Sequence, residues 1–385
     1  MKKLILSIFA LSLSLTASAN DNNTDSDFMS EETLEEGFVT HYINRSIENA
    51  MQAQTAKAEE LKYGRAVTGF VSAPKFGGYV IGRYQYSDQY GKKGGAGFNQ
   101  RLVRFYVDGT ILKHFAYRIQ VQTNNDSFHM KDFFVEWKRY GFFKIKAGQF
   151  KRAFGFENPM NPWDISTGDY SLMTKYLTGH SDYLGADVKG SANGGRDIGI
   201  QVQGDFLPVG KDNHMLFHYQ VMVSNGTGIN TSDTDGKKDI TATLQVQPIK
   251  GLFIGAFGWK GTFDATDSTG KKVNHSRNRY AFGAKYDNAG YVFRSEYAHG
   301  QSDLGNCEAF YAVAGAPLND WFKVSAQYQW ANNEMKGQKQ TILSVIPEFQ
   351  IHKNLKLQLQ YNFNNNNYGS EKHFNELWAE LYFRF

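Results

Sequence analysis

The sequence predicts an all-β protein, a 16-stranded antiparallel transmembrane β-barrel with an N-terminal amphipathic helix. First, polar and apolar residues alternate with period two from Phe76 to the end of the chain. Second, the segments that connect these runs are alternately long and short along the chain. Third, no apolar stretch after the first 20 residues approaches the ~20 residues that a membrane helix needs. Aromatic residues make up 15% of the chain, with 38 glycines and 7 prolines, which is typical of long barrel strands with aromatic girdles.

The first 19 residues have the pattern of a secretory signal peptide. Lys2 and Lys3 precede an apolar run, and Ala17 and Ala19 form a small-residue cleavage site, so we expect cleavage after Ala19. Cys307 is the only cysteine, which excludes a disulfide framework and a lipid-modified cysteine at the cleavage point. The chain is therefore predicted to be exported.

Residues 20–70 form an acidic N-terminal segment that we predict to be periplasmic. It contains ten acidic and four basic residues. Leu34, Phe38, Ile47 and Met51 recur at helical spacing, which predicts one amphipathic helix over about 30–63. Two interpretations remain open, a helix packed on the body of the protein and a coiled coil in an oligomer.

Residues 71–385 are predicted to form the barrel. The sixteen alternating runs cover 76–86, 99–109, 115–123, 131–138, 142–150, 196–204, 214–224, 238–247, 251–261, 278–287, 290–299, 307–315, 321–330, 340–350, 355–364 and 374–385. Eight longer connections alternate with seven shorter ones, as in barrels whose short turns face the periplasm. A soluble sandwich gives no reason for this sorting. Sixteen strands enclose a lumen that wall side chains alone do not fill.

Several segments resemble the phosphate-selective porin O and P family of Gram-negative outer-membrane porins. They are "FGGYVIGRYQY" (76–86), "KIKAGQFKRAFGFEN" (144–158), "VSNGTGIN" (223–230), "KDITATLQVQPIKGL" (238–252) and the final Phe385. The resemblance implies a trimeric barrel in the cell outer membrane that gives passive diffusion of small hydrophilic solutes, with a preference for phosphate or other inorganic anions. Phe385 also resembles the terminal signal that the barrel-assembly machinery reads.

The alternation places a set of basic side chains on the lumen face. Arg83, Arg104, Arg118, Lys144 and Lys146 share this parity, and we predict that they select anions together with Lys151 and Arg152, which begin the next loop. The alternative is ordinary pairing within the wall. Asp132 and Glu136 have inward parity on the strand between, so cross-strand ion pairs would neutralise part of this ladder.

The 45-residue loop 151–195 is the candidate constriction loop. The resemblance implies that the loop after strand five folds into the lumen, although the sequence alone leaves its entry open. Phe154, Phe156, Trp163 and Tyr170 predict an ordered, packed loop, with packing at the surface as the alternative.

No catalytic, metal or cofactor site is predicted. HExxH, GxxxxGK[ST] and GxSxG patterns are absent from the sequence, so we expect no enzyme, and we expect no nucleic-acid partner. The oxygen-rich stretches 230–236 and 264–270 fit either calcium ligands or, preferably, turns. The expected partners are outer-membrane lipid, small anions and two further copies of the chain. The rival hypotheses are a plugged barrel acting as a receptor, adhesin or enzyme, and a soluble secreted glycan-binding protein.

Overall fold

The computed structural model describes residues 72–89, 95–124, 127–181, 194–233, 235–266 and 269–385. The predicted signal peptide 1–19, the acidic segment 20–70 and the helix over 30–63 lie outside these residues. Within the described part of the chain, sixteen antiparallel strands form a closed barrel, as predicted. No helix among the described residues is long and apolar enough to cross a membrane.

Each barrel strand pairs with the next barrel strand along the chain, and a separate two-stranded hairpin is inserted between the ninth and tenth barrel strands. The strands are β1 Lys75–Ser87, β2 Gly97–Ile111, β3 Phe115–Asn124, β4 Ser127–Trp137, β5 Lys144–Lys151, β6 Arg196–Val209, β7 His214–Ser224, β8 Asp239–Ile249, β9 Leu252–Lys260, β10 Thr262–Thr266, β11 Lys272–Ser276, β12 Asn278–Asn288, β13 Tyr291–Ser302, β14 Gly305–Pro317, β15 Phe322–Asn333, β16 Gln338–His352, β17 Leu355–Asn366 and β18 His373–Arg384. Helix α1 spans Leu172–Leu177 in the loop after β5.

The last strand closes the barrel against the first. In the β1 and β18 pair, Tyr79 lies opposite Arg384 and Arg83 lies opposite Glu380. Beyond β18, the backbone N–H of Phe385 donates to the carbonyl of Gly78 at 3.0 Å, and the Gly78 N–H donates back at 3.1 Å. The ladder between the two strands therefore continues to the last residue of the chain.

Burial along the strands is inverted relative to a water-soluble protein. In β17, Lys356, Gln358 and Gln360 are buried, whereas Tyr361 and Phe363 on the opposite face are about half exposed. Large apolar side chains are exposed in the same way on most other strands. A polar interior inside an apolar exterior is stable only when the exterior meets hydrocarbon, so the wall has the pattern of a transmembrane barrel.

The predicted alternation of long and short connections is only partly correct. β3 ends at Asn124 and β4 begins at Ser127, and β13 ends at Ser302 and β14 begins at Gly305, although the sequence predicted longer loops, 124–130 and 300–306, at these two places. The strands extend further than the periodicity indicated, because backbone pairing continues to Asn124 with Ser127 and to Ser302 with Gly305. Strands of up to 15 residues exceed the 9–11 that cross the hydrocarbon, so pairing continues beyond the apolar band.

Candidate functional site

The stretch 152–181 of the loop after β5 lies inside the barrel. Phe154 and Phe156 pack against Phe257 and Trp259 of the inner wall, and α1 packs against β13, β14 and β15. Further along the loop, Trp163 packs in a second apolar cluster that the walls of β1, β2 and β18 supply. The loop aromatics predicted to pack are therefore buried against the inner wall.

Small side chains on the wall make room for the loop. Where α1 approaches, the lumen face presents Ala281, Ala298, Ala309 and Ala331, all fully buried or nearly so. Larger residues at these positions would fill the space that α1 occupies. The wall sequence is thus matched to the loop, although the two are far apart in the chain.

Glu296 of β13 holds the first turn of the loop through its carboxylate. The backbone N–H groups of Phe156 and Glu157 donate to it at 2.9 Å, and the hydroxyl of Tyr311 donates at 2.6 Å. Gly155 has a φ of +80°, and a Cβ there would lie 2.6 Å from Glu296 Oε2. Both the backbone conformation and the close approach of the carboxylate require glycine at position 155.

Further wall side chains hold the backbone of the loop from several directions. Gln360 accepts from the Gly168 N–H at 2.6 Å, and Gln329 accepts from the Leu172 N–H at 2.7 Å. In the opposite direction, four wall side chains donate to loop carbonyls: Arg83 to Gly168, Arg294 to Ile165, Lys356 to Trp163 and Thr243 to Ala153. These contacts come from strands on different sides of the lumen, so the loop is anchored across it.

Two of the predicted basic residues, Arg83 and Arg104, lie at the loop. Arg83 pairs with Glu380 at 2.8 Å and stacks over Trp378. Arg104 is buried and donates to neutral oxygens, those of Gln122 at 2.8 Å and Tyr79 at 2.6 Å.

Three others form ion pairs along the wall. Arg118 makes two 2.7 Å bonds to Asp108, Lys144 lies 2.6 Å from Asp205, and Lys146 lies 3.7 Å from Glu136. Wall pairing was the alternative interpretation of the ladder, and the structure contains it at these three positions and at Arg83, which pairs with Glu380.

Lys151 and Arg152 hold the loop to the wall. Lys151 Nζ donates to the carbonyl of Met160 at 2.5 Å and to the hydroxyl of Tyr170 at 2.8 Å. Arg152 is fully buried, lies 2.8 Å from Asp197 and stacks over Trp259. The ammonium group of Lys151 is thus engaged within the protein, whereas Nε and Nη1 of Arg152 are buried without a hydrogen-bond partner among the described residues.

A cationic cleft of about 230 Å³ lies between the loop and the wall of β1, β2, β3, β4 and β6. We use the name basic cleft for it. Its lining residues are Arg83, Arg101, Leu102, Arg104, Gln122, Lys131, Pro162, Asp169, Tyr170, His180, Gly194 and Arg196. Of its five lining cations, the sequence predicted two, Arg83 and Arg104. Arg196 was missed because, in the predicted run 196–204, it has the parity of Ile198 and Ile200, and Ile200 is exposed on the outer face.

Arg101 and Lys131 were missed because each is the extra residue of a β-bulge. In β2, Gln100 pairs with Gly82 and Leu102 pairs with Ile81, which leaves Arg101 between them without a partner. In β4, the extra residue Lys131 stands between two residues that pair with Val121 and Gln120. A bulge reverses the alternation, so strict parity would have placed both cations on the lipid face.

Two titratable groups of the loop have shifted pKa values. Burial alone would raise the pKa of the Asp169 carboxyl, but Lys175 and Arg101 lower it well below its ordinary value. Burial, together with Lys151 and Arg196, lowers the pKa of His180 far below its usual range. The loop therefore presents an ionised Asp169 and a neutral His180 to the basic cleft.

The oxygen-rich stretch 230–236 forms a turn where it is described. Asp233 Oδ1 accepts from the backbone N–H groups of Asp235 and Gly236 at 3.2 and 2.9 Å, as in an Asx turn. The stretch 264–270 includes residues outside the described part. Within the described residues, no group of three or more His, Cys, Asp and Glu side chains is placed to hold a metal ion.

The fold is similar to that of solved porins. No family model matches the chain, and no curated protein matches it. An anion-selective porin from Comamonas acidovorans has a TM-score of 0.63 at 13% identity, covering 82% of this chain and 100% of that one. Salmonella typhi OmpF in complex with daunomycin has a TM-score of 0.60 at 12% identity, covering 81% and 97%. The outer membrane channel DcaP of Acinetobacter baumannii has a TM-score of 0.58 at 11% identity, covering 84% and 99%. At these identities the similarity shows a shared fold.

Proposed function

We propose that this protein is an outer-membrane porin, a passive channel for small hydrophilic solutes with a preference for anions. The basic cleft beside the loop is the observation that carries the proposal. A low-dielectric wall focuses the field of the lining cations, which raises the local concentration of anions and lowers that of cations.

The position of the inner loop favours a channel with a single constriction, at the height of the loop. Residues 152–181 are held to the wall by apolar packing and by hydrogen bonds, so the loop narrows the lumen without depending on a flexible tip. In this proposal, the loop 151–195 is the constriction, and the basic cleft is the part of the constriction that anions pass. Arg83 and Arg104 act there directly, whereas Lys151 and Arg152 keep the loop in position.

The finer assignments belong to the same proposal. We infer a homotrimer, since one of the solved structures with this fold is described as the trimer form of Vibrio cholerae OmpT, with a TM-score of 0.53. We also propose that the chain is a member of the phosphate-selective porin O and P family, which its sequence segments resemble. Phe385 is proposed as the terminal signal for the barrel-assembly machinery.

Reconstitution in planar bilayers tests the channel function. We expect a steady conductance that increases in steps as single channels insert. Across a KCl gradient, the sign of the zero-current potential should show that chloride passes more easily than potassium. The same preparation should come from the outer-membrane fraction after a high-salt wash and migrate as a trimer on an unheated gel. A barrel plugged by its loop would show no steady current, and a soluble β protein would leave the membrane pellet during the wash.

A further inference from the structure

The outer surface of the barrel changes character over β6–β9, near the rim from which the inner loop enters. At this rim Phe98 of β2 is 89% exposed and Phe128 of β4 is 71% exposed, and on β12 Tyr280 is about half exposed. On β6, β7 and β8, the outward positions nearest the rim instead hold exposed aliphatic side chains. We call this surface the aliphatic strip, and its residues are Ile200, Val221, Val223, Ile240, Ala242 and Leu244.

One row of the aliphatic strip ends in a lysine. Ile200 of β6 lies opposite Val223 of β7, which in turn lies opposite Ile240 of β8. Ile240 lies opposite Lys260, the last residue of β9. Neighbouring strands are about 4.8 Å apart, so the row is about 14 Å wide. Lys260 is exposed and, among the described residues, has no carboxylate within ion-pair distance.

Two further lysines reach the same rim from the segment before β8. Lys238 directly precedes β8, and its ammonium group pairs with Asp233. Lys237 donates to the side-chain oxygen of Asn274 in the β10–β11 hairpin, which begins two residues after Lys260. Within the described part of the chain, Lys237 has no carboxylate at ion-pair distance either. Lys237 and Lys260 therefore leave positive charge at the rim beside the aliphatic strip.

A cationic rim above an aliphatic surface has the chemistry of a site for a phosphorylated lipid. In a membrane barrel, aromatic side chains usually occupy the level of the lipid headgroups. Here Lys260 occupies that level, and a lysine lays its alkyl stem along apolar surface while its ammonium group reaches towards the headgroups. The aliphatic side chains below it offer a surface without large rings, along which acyl chains can lie.

We propose that this sector of the outer wall binds lipopolysaccharide, with the aliphatic strip against its saturated acyl chains and Lys237 and Lys260 against its lipid A phosphates. The inference rests on the outer-membrane location in the proposed function, and it does not require the channel to conduct. Charge complementarity favours this occupant over a second copy of the chain. Glu308, an outward carboxylate that a second copy would offer, already accepts hydrogen bonds from Tyr297 and Asn332.

Titration with purified lipid A tests the lysines. The full-length protein is folded in detergent without lipopolysaccharide, and native mass spectrometry counts the bound molecules of hexa-acylated lipid A that carries both phosphates. We expect saturable binding. Lys260→Met should raise the half-saturating concentration about fivefold, and the addition of Lys237→Met should raise it to about 25-fold, since each lysine near an anionic headgroup contributes a similar increment. Lipid A without phosphates should bind more weakly and should not respond to Lys260→Met.

An aromatic substitution tests the aliphatic strip. Ile240→Trp places a large ring in the row beside Lys260, so it should weaken the binding of lipid A with and without phosphates. Phe282→Trp is the matched control, because Phe282 is 56% exposed on the outer face of β12, outside the aliphatic strip, and already carries a ring. Its lipid A binding should equal that of the unmodified protein.

Further controls separate this site from the general charge of the rim and from the channel. Lys339→Met removes another exposed, outward lysine at the same rim on β16, so lipid A binding should not change. Heat-modifiable migration on a gel shows which variants are folded, and Lys260→Gln replaces Lys260→Met if the latter does not assemble.

Two outcomes overturn this inference. The first is lipid A binding that stays unchanged when Lys237→Met and Lys260→Met are combined. The second is loss of the trimer in Ile240→Trp with lipid A binding intact, which would assign the aliphatic strip to a second copy of the chain. Absence of an anion-selective current in planar bilayers overturns the proposed function alone, because lipid A binding is measured independently of conductance.

Discussion

At the scale of single residues, the partner of a lumen cation determines how much field it contributes. Arg118 faces a carboxylate that accepts two hydrogen bonds from it, so the pair with Asp108 is close to neutral. Arg104 donates to an amide oxygen and a hydroxyl, and among the described residues no carboxylate lies within ion-pair distance of it. Both arginines have inward parity on the wall. The charge of Arg118 is offset by Asp108, whereas the charge of Arg104 is not offset by a carboxylate among the described residues.

Arg104→Gln should therefore change ion selectivity more than Arg118→Gln. A unit charge about 4 Å from a passing ion is worth about 1 kcal/mol even in bulk water, so we expect the anion to cation permeability ratio to fall about fivefold for Arg104→Gln. Arg118→Gln should leave the ratio within about twofold, because Arg118 does not line the basic cleft and the Asp108 carboxylate left behind is about one-third exposed, so water and salt screen its charge. Zero-current potentials in a KCl gradient measure both. Equal shifts would contradict the assignment of selectivity to the basic cleft.

At the scale of elements, the inner loop behaves as a part of the wall. Its backbone is held by side chains of β1, β8, β13, β15 and β17, and its aromatic residues fill apolar surface that would otherwise face water. Glu296 makes the densest of these contacts, since one carboxylate accepts two backbone N–H groups and a hydroxyl. We expect the position of the loop to depend on this carboxylate.

Glu296→Gln should loosen the loop while the barrel stays folded. The amide presents an NH₂ group to donors that need an acceptor, and the loss of hydrogen bonds to a charged group costs about 2 kcal/mol. We expect larger and noisier single-channel conductance, and faster protease cleavage within 152–181. Glu308→Gln is the matched control, because Glu308 also accepts from a tyrosine hydroxyl, that of Tyr297, but lies on the opposite face of β14 from Tyr311. Unchanged conductance in Glu296→Gln would show that the other anchors suffice.

At the scale of the whole molecule, the barrel depends on the closure of its two edge strands. An open edge in hydrocarbon leaves backbone N–H and C=O groups without partners, which costs several kcal/mol for each group. Phe385 extends this closure by two backbone hydrogen bonds to Gly78, and its 54% exposed ring packs against Phe105 with 5.8 Å between ring centroids. The last residue therefore contributes both to the ladder and to the apolar surface.

Deletion of Phe385 should lower the amount of assembled barrel in the outer membrane. Phe385→Ala keeps the backbone pair with Gly78, so a comparison of the two variants separates the side chain from the ladder. If the ring is the signal for assembly, both variants should show a weaker heat-modifiable band in outer-membrane fractions. Phe98→Ala removes another strongly exposed ring near the start of β2 and should not change the yield. Equal yields in all variants would remove the assembly role of Phe385.

Much of the barrel could be predicted from local patterns. Because the side-chain period of a strand is two, "LKLQLQYNF" indicates one polar and one apolar face without any knowledge of its neighbours, and β17 has these faces. The same reasoning found all sixteen barrel strands and the inward parity of Arg83 and Arg104. It failed at strand ends and tight connections, where pairing to a neighbour extends a strand beyond its own pattern.

The sequence by itself determined a closed wall of sixteen strands with a polar lumen, because alternation acts along each strand alone. Only the tertiary structure decided which cations meet in the basic cleft. Arg101 and Lys131 reach it because register with a neighbouring strand creates a bulge, and Arg118, Lys144 and Lys146 are paired because of carboxylates on adjacent strands. These contacts depend on how neighbouring strands pair, so the alternation of residues within a single strand does not reveal them.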